Sequence, residues 1–117
     1  MSAPVVLVDA ENVRRSLWPN LTPEELVRGV VEWAEREDVS VQIVFDGSAP
    51  AADVKSVDAV VVGSGGESAD DWIARRAAEL RSGGARFWLV TSDRELRLRA
   101  GAHADRLIGG GAFARGL

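Results

Sequence analysis

Short apolar runs closed by acids dominate the pattern of the chain. Pro4 to Asp9 (PVVLVD) and Val39 to Asp46 (VSVQIVFD) are rich in β-branched residues, and each ends in aspartate. Val57 to Val62, Arg86 to Thr91 (RFWLVT) and a shorter stretch, Asp105 to Ile108, repeat the pattern. Runs of this length predict strands, and their near-continuous apolar character predicts a parallel sheet covered on both faces. Between the first two runs, Leu26, Val30, Val31, Trp33 and Ala34 fall at helical spacing. Thr22-Pro23-Glu24-Glu25 ahead of them supplies an N-cap, a proline for the first helical position and the glutamate of a capping box, so a helix is expected to run to about Glu37. Ser68 caps a second helix, Ala69 to Arg81, which stops at Gly83-Gly84. Asp93 to Ala100 predicts a short helix ended by Gly101. Gly47 to Ser56 reads as a loop and Gly63 to Glu67 as a turn, while the tail Gly109 to Leu117 is weakly determined.

Strands alternating with helical or loop crossovers predict an α/β fold, a doubly wound three-layer α/β/α domain with a mainly parallel sheet. At 117 residues the chain suits one domain, expected to span 1–117, and it shows no repeats or interdomain linker. With 46% hydrophobic and 27% charged residues, a packed core is expected rather than disorder. The absence of cysteine excludes disulfides, thiol catalysis and thiolate zinc sites, and fits a reducing, cytoplasmic setting. Met1 to Asp9 lacks a basic leader region and reads as a strand rather than a signal peptide. No stretch approaches the roughly 20 apolar residues that span a bilayer, so no membrane partner is expected. A net charge of −4 argues against coating nucleic acid through bulk electrostatics, although charge can be segregated locally.

Ligand sites in open parallel sheets lie outside the carboxyl ends of the strands. Asp9 ends the first predicted strand and Asp46 the second. Asp70 lies in the first turn of the helix after the third, and Asp93 sits just past the fourth. Four acids from four successive β–α junctions therefore share one sheet edge, whereas Asp38, Asp58 and Asp105 precede strands and fall on the other. Singly, each of the four reads as a turn residue or N-cap; their common edge is what points to a site. Gathered carboxylates repel one another, so protons or a cation must neutralise them. Oxygen donors without cysteine or clustered histidine point to Mg²⁺ or Mn²⁺, ions that polarise phosphoryl oxygens.

Other readings fit less well. Gly63-Ser-Gly-Gly-Glu67 lacks the third glycine of a dinucleotide loop, follows the wrong strand, and precedes Asp70-Asp71, which would repel a pyrophosphate. A haloacid-dehalogenase-like phosphatase wants a second Asp where Glu11 stands and a downstream lysine, but Lys55 lies in the wrong loop; a receiver domain wants a lysine after strand five. Arg14, Arg15 and Arg94 flank the acidic motifs, where they would either contact phosphate or form a solvated helix face. Trp33 and Trp88 are expected in the core. Trp18 reads first as a surface anchor, with base stacking as the functional alternative. His103, the single histidine, reads as a loop residue that is neither ligand nor base. By helix phase, Asp70 flanks the buried face of its helix, while Asp71 points away from the core and is placed to pair with Arg75.

Asp9-Ala-Glu-Asn12, Phe45-Asp46-Gly47, Glu67-Ser-Ala-Asp70 and Thr91-Ser-Asp93-Arg-Glu95, taken in order, resemble the NYN domain, and within it the YacP-like branch of the PIN-like nuclease superfamily. The resemblance runs from Val5 to about Ile108. It implies a PIN-like three-layer fold and metal-dependent cleavage of RNA. Carried across by position, Asp9, Asp46, Asp70 and Asp93 hold Mg²⁺ or Mn²⁺ and carry catalysis, Asn12 supports that shell or contacts substrate, and Ser92 braces Asp93. Position 10 is Ala where the family often has Gly, and the Gly-rich end is expected to stand in place of the family's last helix. The expected activity is a metal-dependent endoribonuclease on single-stranded RNA. The alternatives are a non-catalytic RNA-binding or ribosome-associated module of the same fold, and a metal-dependent phosphatase.

Overall fold

Every strand is followed by a helix or loop that returns the chain to the same end of the sheet. The computed structural model describes residues 3–52 and 54–117; Met1 and Ser2 of the leading segment and Asp53 of the Gly47–Ser56 loop lie outside the described residues. The elements are β1 (Val5–Asp9), α1 (Ala10–Arg14), α2 (Pro23–Glu37), β2 (Ser40–Phe45), β3 (Ala59–Gly63), α3 (Ala69–Ser82), β4 (Phe87–Val90), α4 (Arg94–Ala100), β5 (Arg106–Ile108) and α5 (Gly110–Arg115). The strands form one sheet in the order β3-β2-β1-β4-β5, parallel at every pairing. The chain builds outward from β1 to β3, then crosses back to lay β4 on the other side of β1. That reversal opens the crevice in which doubly wound sheets hold ligands, outside the carboxyl ends of β1 and β4.

Alternation along the strands divides the core. Val6 and Val8 of β1, with Val41, Ile43 and Phe45 of β2 and Val90 of β4, pack against α1, α2 and α5. Leu7, Val44, Phe87 and Leu89 face the other way, against Ile73, Ala77 and Leu80 of α3 and Leu96 and Ala100 of α4. Trp33 packs edge-on to Trp88 at 6.3 Å and to Phe113 at 4.8 Å, which seats α5 on the first face. The capping box of α2 is complete: Thr22 Oγ1 accepts from the Glu25 amide at 3.1 Å, and the Thr22 amide donates back to the Glu25 carboxylate at 2.9 Å. Gly63 closes β3 where a Cβ would meet the Gly47 carbonyl at 2.6 Å, so only glycine lets the loop after Asp46 pass so near. Among the described residues, no helix is long and apolar enough to cross a membrane.

The structure departs from the sequence expectations in three places. β3 starts at Ala59 rather than Val57, whose side chain is 95% exposed beside a turn. α1 follows β1 without a loop and is only five residues long, too short for a periodic signal. The Gly-rich tail forms α5, although glycine is a poor helix former; packing of Phe113 and Ala114 into the core supplies what propensity does not.

Candidate active site

Register brings the first two acids together. Val8 pairs with Val90 across β1 and β4, so the next residues, Asp9 and Thr91, stand side by side at the sheet edge. Asp9 is buried, with 5% exposure, and its Oδ2 accepts from Thr91 Oγ1 at 2.8 Å. The same hydroxyl accepts from the Asp93 amide at 3.0 Å. Asp93 in turn caps α4, its Oδ1 taking the Leu96 amide at 2.9 Å. Asp46, just past β2, reaches across to α3 and accepts the Ala69 amide at 2.7 Å, filling one of the donors a helix start leaves unpaired. Asp9, Asp46 and Asp93 are thus each held through one oxygen, and among the described residues no donor meets the other. Asp70, half-buried in the first turn of α3, accepts no hydrogen bond among the described residues.

The four acids line one cleft of about 640 Å³, together with Glu11, Asn12, Arg15, Ser16, Ser92 and Gly111. Burial pushes the Asp9 carboxyl up from its ordinary 3.8 to about 6; the Thr91 bond opposes that rise, and the charges of Asp70, Asp46 and Asp93 add to it. Asp70 is also raised, first by burial, then by Asp93 and Asp46, against a smaller lowering by Arg99. Burial is the main cause of both shifts, and repulsion among the carboxylates, which an added cation would relieve, adds to them. All donors here are oxygen, the chemistry that suits Mg²⁺ or Mn²⁺. Among the described residues, no three acids form a ready-made coordination shell.

Of the expected accessory residues, Asn12, Ser92 and Arg15 line the cleft, whereas Arg14 and Arg94 do not. Arg14 folds back on Glu11 Oε2, at 3.0 Å from Nε and 2.7 Å from Nη2, and on the Leu21 carbonyl. Arg94 is exposed on α4. Ser92 does not brace the Asp93 carboxylate: its Oγ accepts the Gly110 amide at 2.7 Å, while its own amide donates to Asn12 Oδ1 at 2.9 Å. Asp93 is held instead by Thr91 and Leu96. Asp71 pairs not with Arg75 but with Arg99, at 2.8 Å, because α4 packs beside α3; Arg75 turns to Glu67. Thr91, the most connected side chain of the site, was missed by sequence reasoning; its only signal there is its place at the end of the fourth strand, two residues before Asp93.

A parallel three-layer sandwich with carboxylates gathered at its switch point defines a PIN-like domain of the NYN class. The chain matches the YacP-like NYN domain family over residues 9–108, and it belongs to that family. The family is nuclease-type, with RNA-related function. The crystal structure of Rae1 (YacP) from Bacillus subtilis shares the fold with a TM-score of 0.71 at 21% identity, covering 96% of this chain and 72% of that one. A mutant form of the same protein gives a TM-score of 0.70 at 19% identity, covering 96% and 73%. At such identity the likeness is one of fold. No curated protein matches the chain.

Two expectations follow for the protein without metal. Asp9 holds its proton more tightly folded than unfolded, so the folded state binds more protons between pH 3.8 and about 6, and stability falls as pH rises through that window. The full loss, about 3 kcal/mol, is present above about pH 6. Denaturant titrations across pH should show this decline for the wild type relative to Asp9→Asn; parallel curves would contradict it. Thr91→Val keeps the side chain's shape but strips Asp9 of its donor, and should lower stability by about 1–3 kcal/mol at pH 7, with a smaller loss at pH 4.

Proposed function

We propose that the chain is an endoribonuclease that hydrolyses phosphodiester bonds of single-stranded RNA, with Mg²⁺ or Mn²⁺ held by Asp9, Asp46, Asp70 and Asp93. The observation that most supports this reading is the convergence of the four acids on one cleft, where the other three raise the proton affinity of Asp9. When bound, the ion supplies Lewis-acid polarisation of a phosphoryl oxygen and an activated water. The protein contributes placement. Asp46 and Asp93 are fixed by backbone amides and Asp9 by Thr91 before any substrate arrives, so little reorganisation is left for the reaction. Asp70, without a hydrogen bond among the described residues, can adjust to the ion. Arg15 and Asn12 line the same cleft, where a guanidinium and an amide suit phosphate oxygens and a ribose hydroxyl. With a net charge of −4, the chain would hold RNA more tightly with the cation bound than without it.

A second reading, an RNA-binding module that cleaves nothing, is favoured by one observation: no three acids among the described residues close into a coordination shell. Adjacent acids on α3 separate the two. Asp70 lines the cleft, whereas Asp71 is exposed and engaged with Arg99. Wild-type protein should cut single-stranded RNA with Mg²⁺ or Mn²⁺ and stop with EDTA. Asp70→Asn should fall to background, while Asp71→Asn should keep near-full turnover and lose at most about 0.5 kcal/mol of stability. Binding without metal-dependent cleavage above the Asp70→Asn level would assign the chain to the binding module. Equal losses in both variants would refute the assignment of Asp70.

A further inference from the structure

The loop between α1 and α2 is anchored at both ends. Ser16 returns its amide and its hydroxyl to the Val13 carbonyl, at 3.2 and 2.6 Å. Leu21 donates its amide to the Arg14 carbonyl at 3.1 Å, and Arg14 Nη1 donates to the Leu21 carbonyl at 3.2 Å. Leu17 and Leu21 both pack against the core. Between them Trp18 is 89% exposed, so it is not the anchor its sequence context suggests: its two leucine neighbours are. Among the described residues, no ring contact or hydrogen bond engages it. A lone exposed apolar side chain is ordinary on a protein surface. This one differs in being a large flat ring on a pinned loop that also borders the acidic cleft, since Arg15 and Ser16 line that cleft.

We propose that Trp18 is a stacking platform for an unpaired base of the RNA strand whose phosphate enters the cleft. The inference rests on the endoribonuclease reading and deepens it by naming how the strand is gripped. Two residues of chain reach at most about 7 Å, so the backbone of Trp18 lies within that span of Ser16, and a ring there would meet a nucleotide neighbouring the one in the cleft. Arg15, 66% exposed at its side chain and paired with Glu11 at 3.2 Å, lines the same cleft and would turn its guanidinium to the linking phosphate. Ring, guanidinium and carboxylate-held cation would then follow one strand in order: base, phosphate, scissile phosphate. A ring face stacks any base, so the platform confers grip on single strands rather than a sequence preference. A duplex, its bases already stacked, gains nothing from it.

The test uses full-length Asp70→Asn in EDTA, so that binding is read without cleavage, and a short single-stranded oligoadenylate as probe. Trp33 packs between Trp88 and Phe113, and Trp33, Trp72 and Trp88 are all partly buried, so Trp18 is the solvent-facing fluorophore. The oligonucleotide should quench tryptophan emission, and Trp18→Leu should remove that quenching. Trp18→Leu should also weaken binding roughly 5- to 150-fold, and Trp18→Phe should restore most of the affinity, with melting temperatures unchanged in both. Undiminished affinity in Trp18→Leu, or equal loss in Leu and Phe, would overturn the platform while leaving the endoribonuclease reading intact if wild type cuts RNA. Absence of both RNA binding and metal-dependent cleavage would overturn the reading and the platform together.

Discussion

Thr91 Oγ1 makes two hydrogen bonds at once, donating to the buried Asp9 and accepting from the Asp93 amide, and the arrangement of the sheet edge follows from that pairing. The hydroxyl bridges β1 and β4 where the chain reverses its direction of sheet building. Without a donor there, a carboxylate at 5% exposure would face burial unassisted. One hydroxyl offsets only part of that cost, and Asp9 remains raised to about 6, with the neighbouring acids adding to the burden. The fold thus gathers carboxylates whose repulsion adds to the cost of burying Asp9, and an ion held among them, as proposed, would draw on that same repulsion.

The far end of the chain joins this edge. Gly110 donates to Ser92, and Ser92 donates to Asn12, so α5, the segment after β4 and α1 are linked by two hydrogen bonds beside the cleft. A Cβ at position 110 would collide with Asn12 Oδ1, which explains why a glycine opens a helix that otherwise gains nothing from it. The tail is therefore part of the wall of the site, and Gly111 lines the cleft itself.

The strands, their parallel pairing and the convergence of Asp9, Asp46, Asp70 and Asp93 on one edge were legible in the sequence, because apolar runs ending in acids encode both the strand and its carboxyl terminus. What was not legible depends on contacts between distant residues. α5 is held by Phe113 in a core built from β1, α2 and β4, so the sequence around Gly110 carries no trace of its helix. Arg75 sits at ideal helical spacing from Asp71, yet Asp71 turns to Arg99 because α4 lies beside it, a neighbour that helix phase cannot see. Thr91 looks like an ordinary strand residue until register sets it against Asp9. Trp18 was misread because aromatic residues usually anchor; here the adjacent leucines do so.

The central claim is that four carboxylates held short of neutralisation form a divalent-cation site, and thermal unfolding against Mn²⁺ concentration tests it most directly. An ion that binds only the folded state stabilises it by about 2.7 kcal/mol at one hundred times its Kd. Wild type and Asp71→Asn should therefore melt at progressively higher temperature as Mn²⁺ is added, and Asp70→Asn should respond weakly. A melting temperature indifferent to Mn²⁺ in the wild type, or an equal rise in all three proteins, would contradict the account.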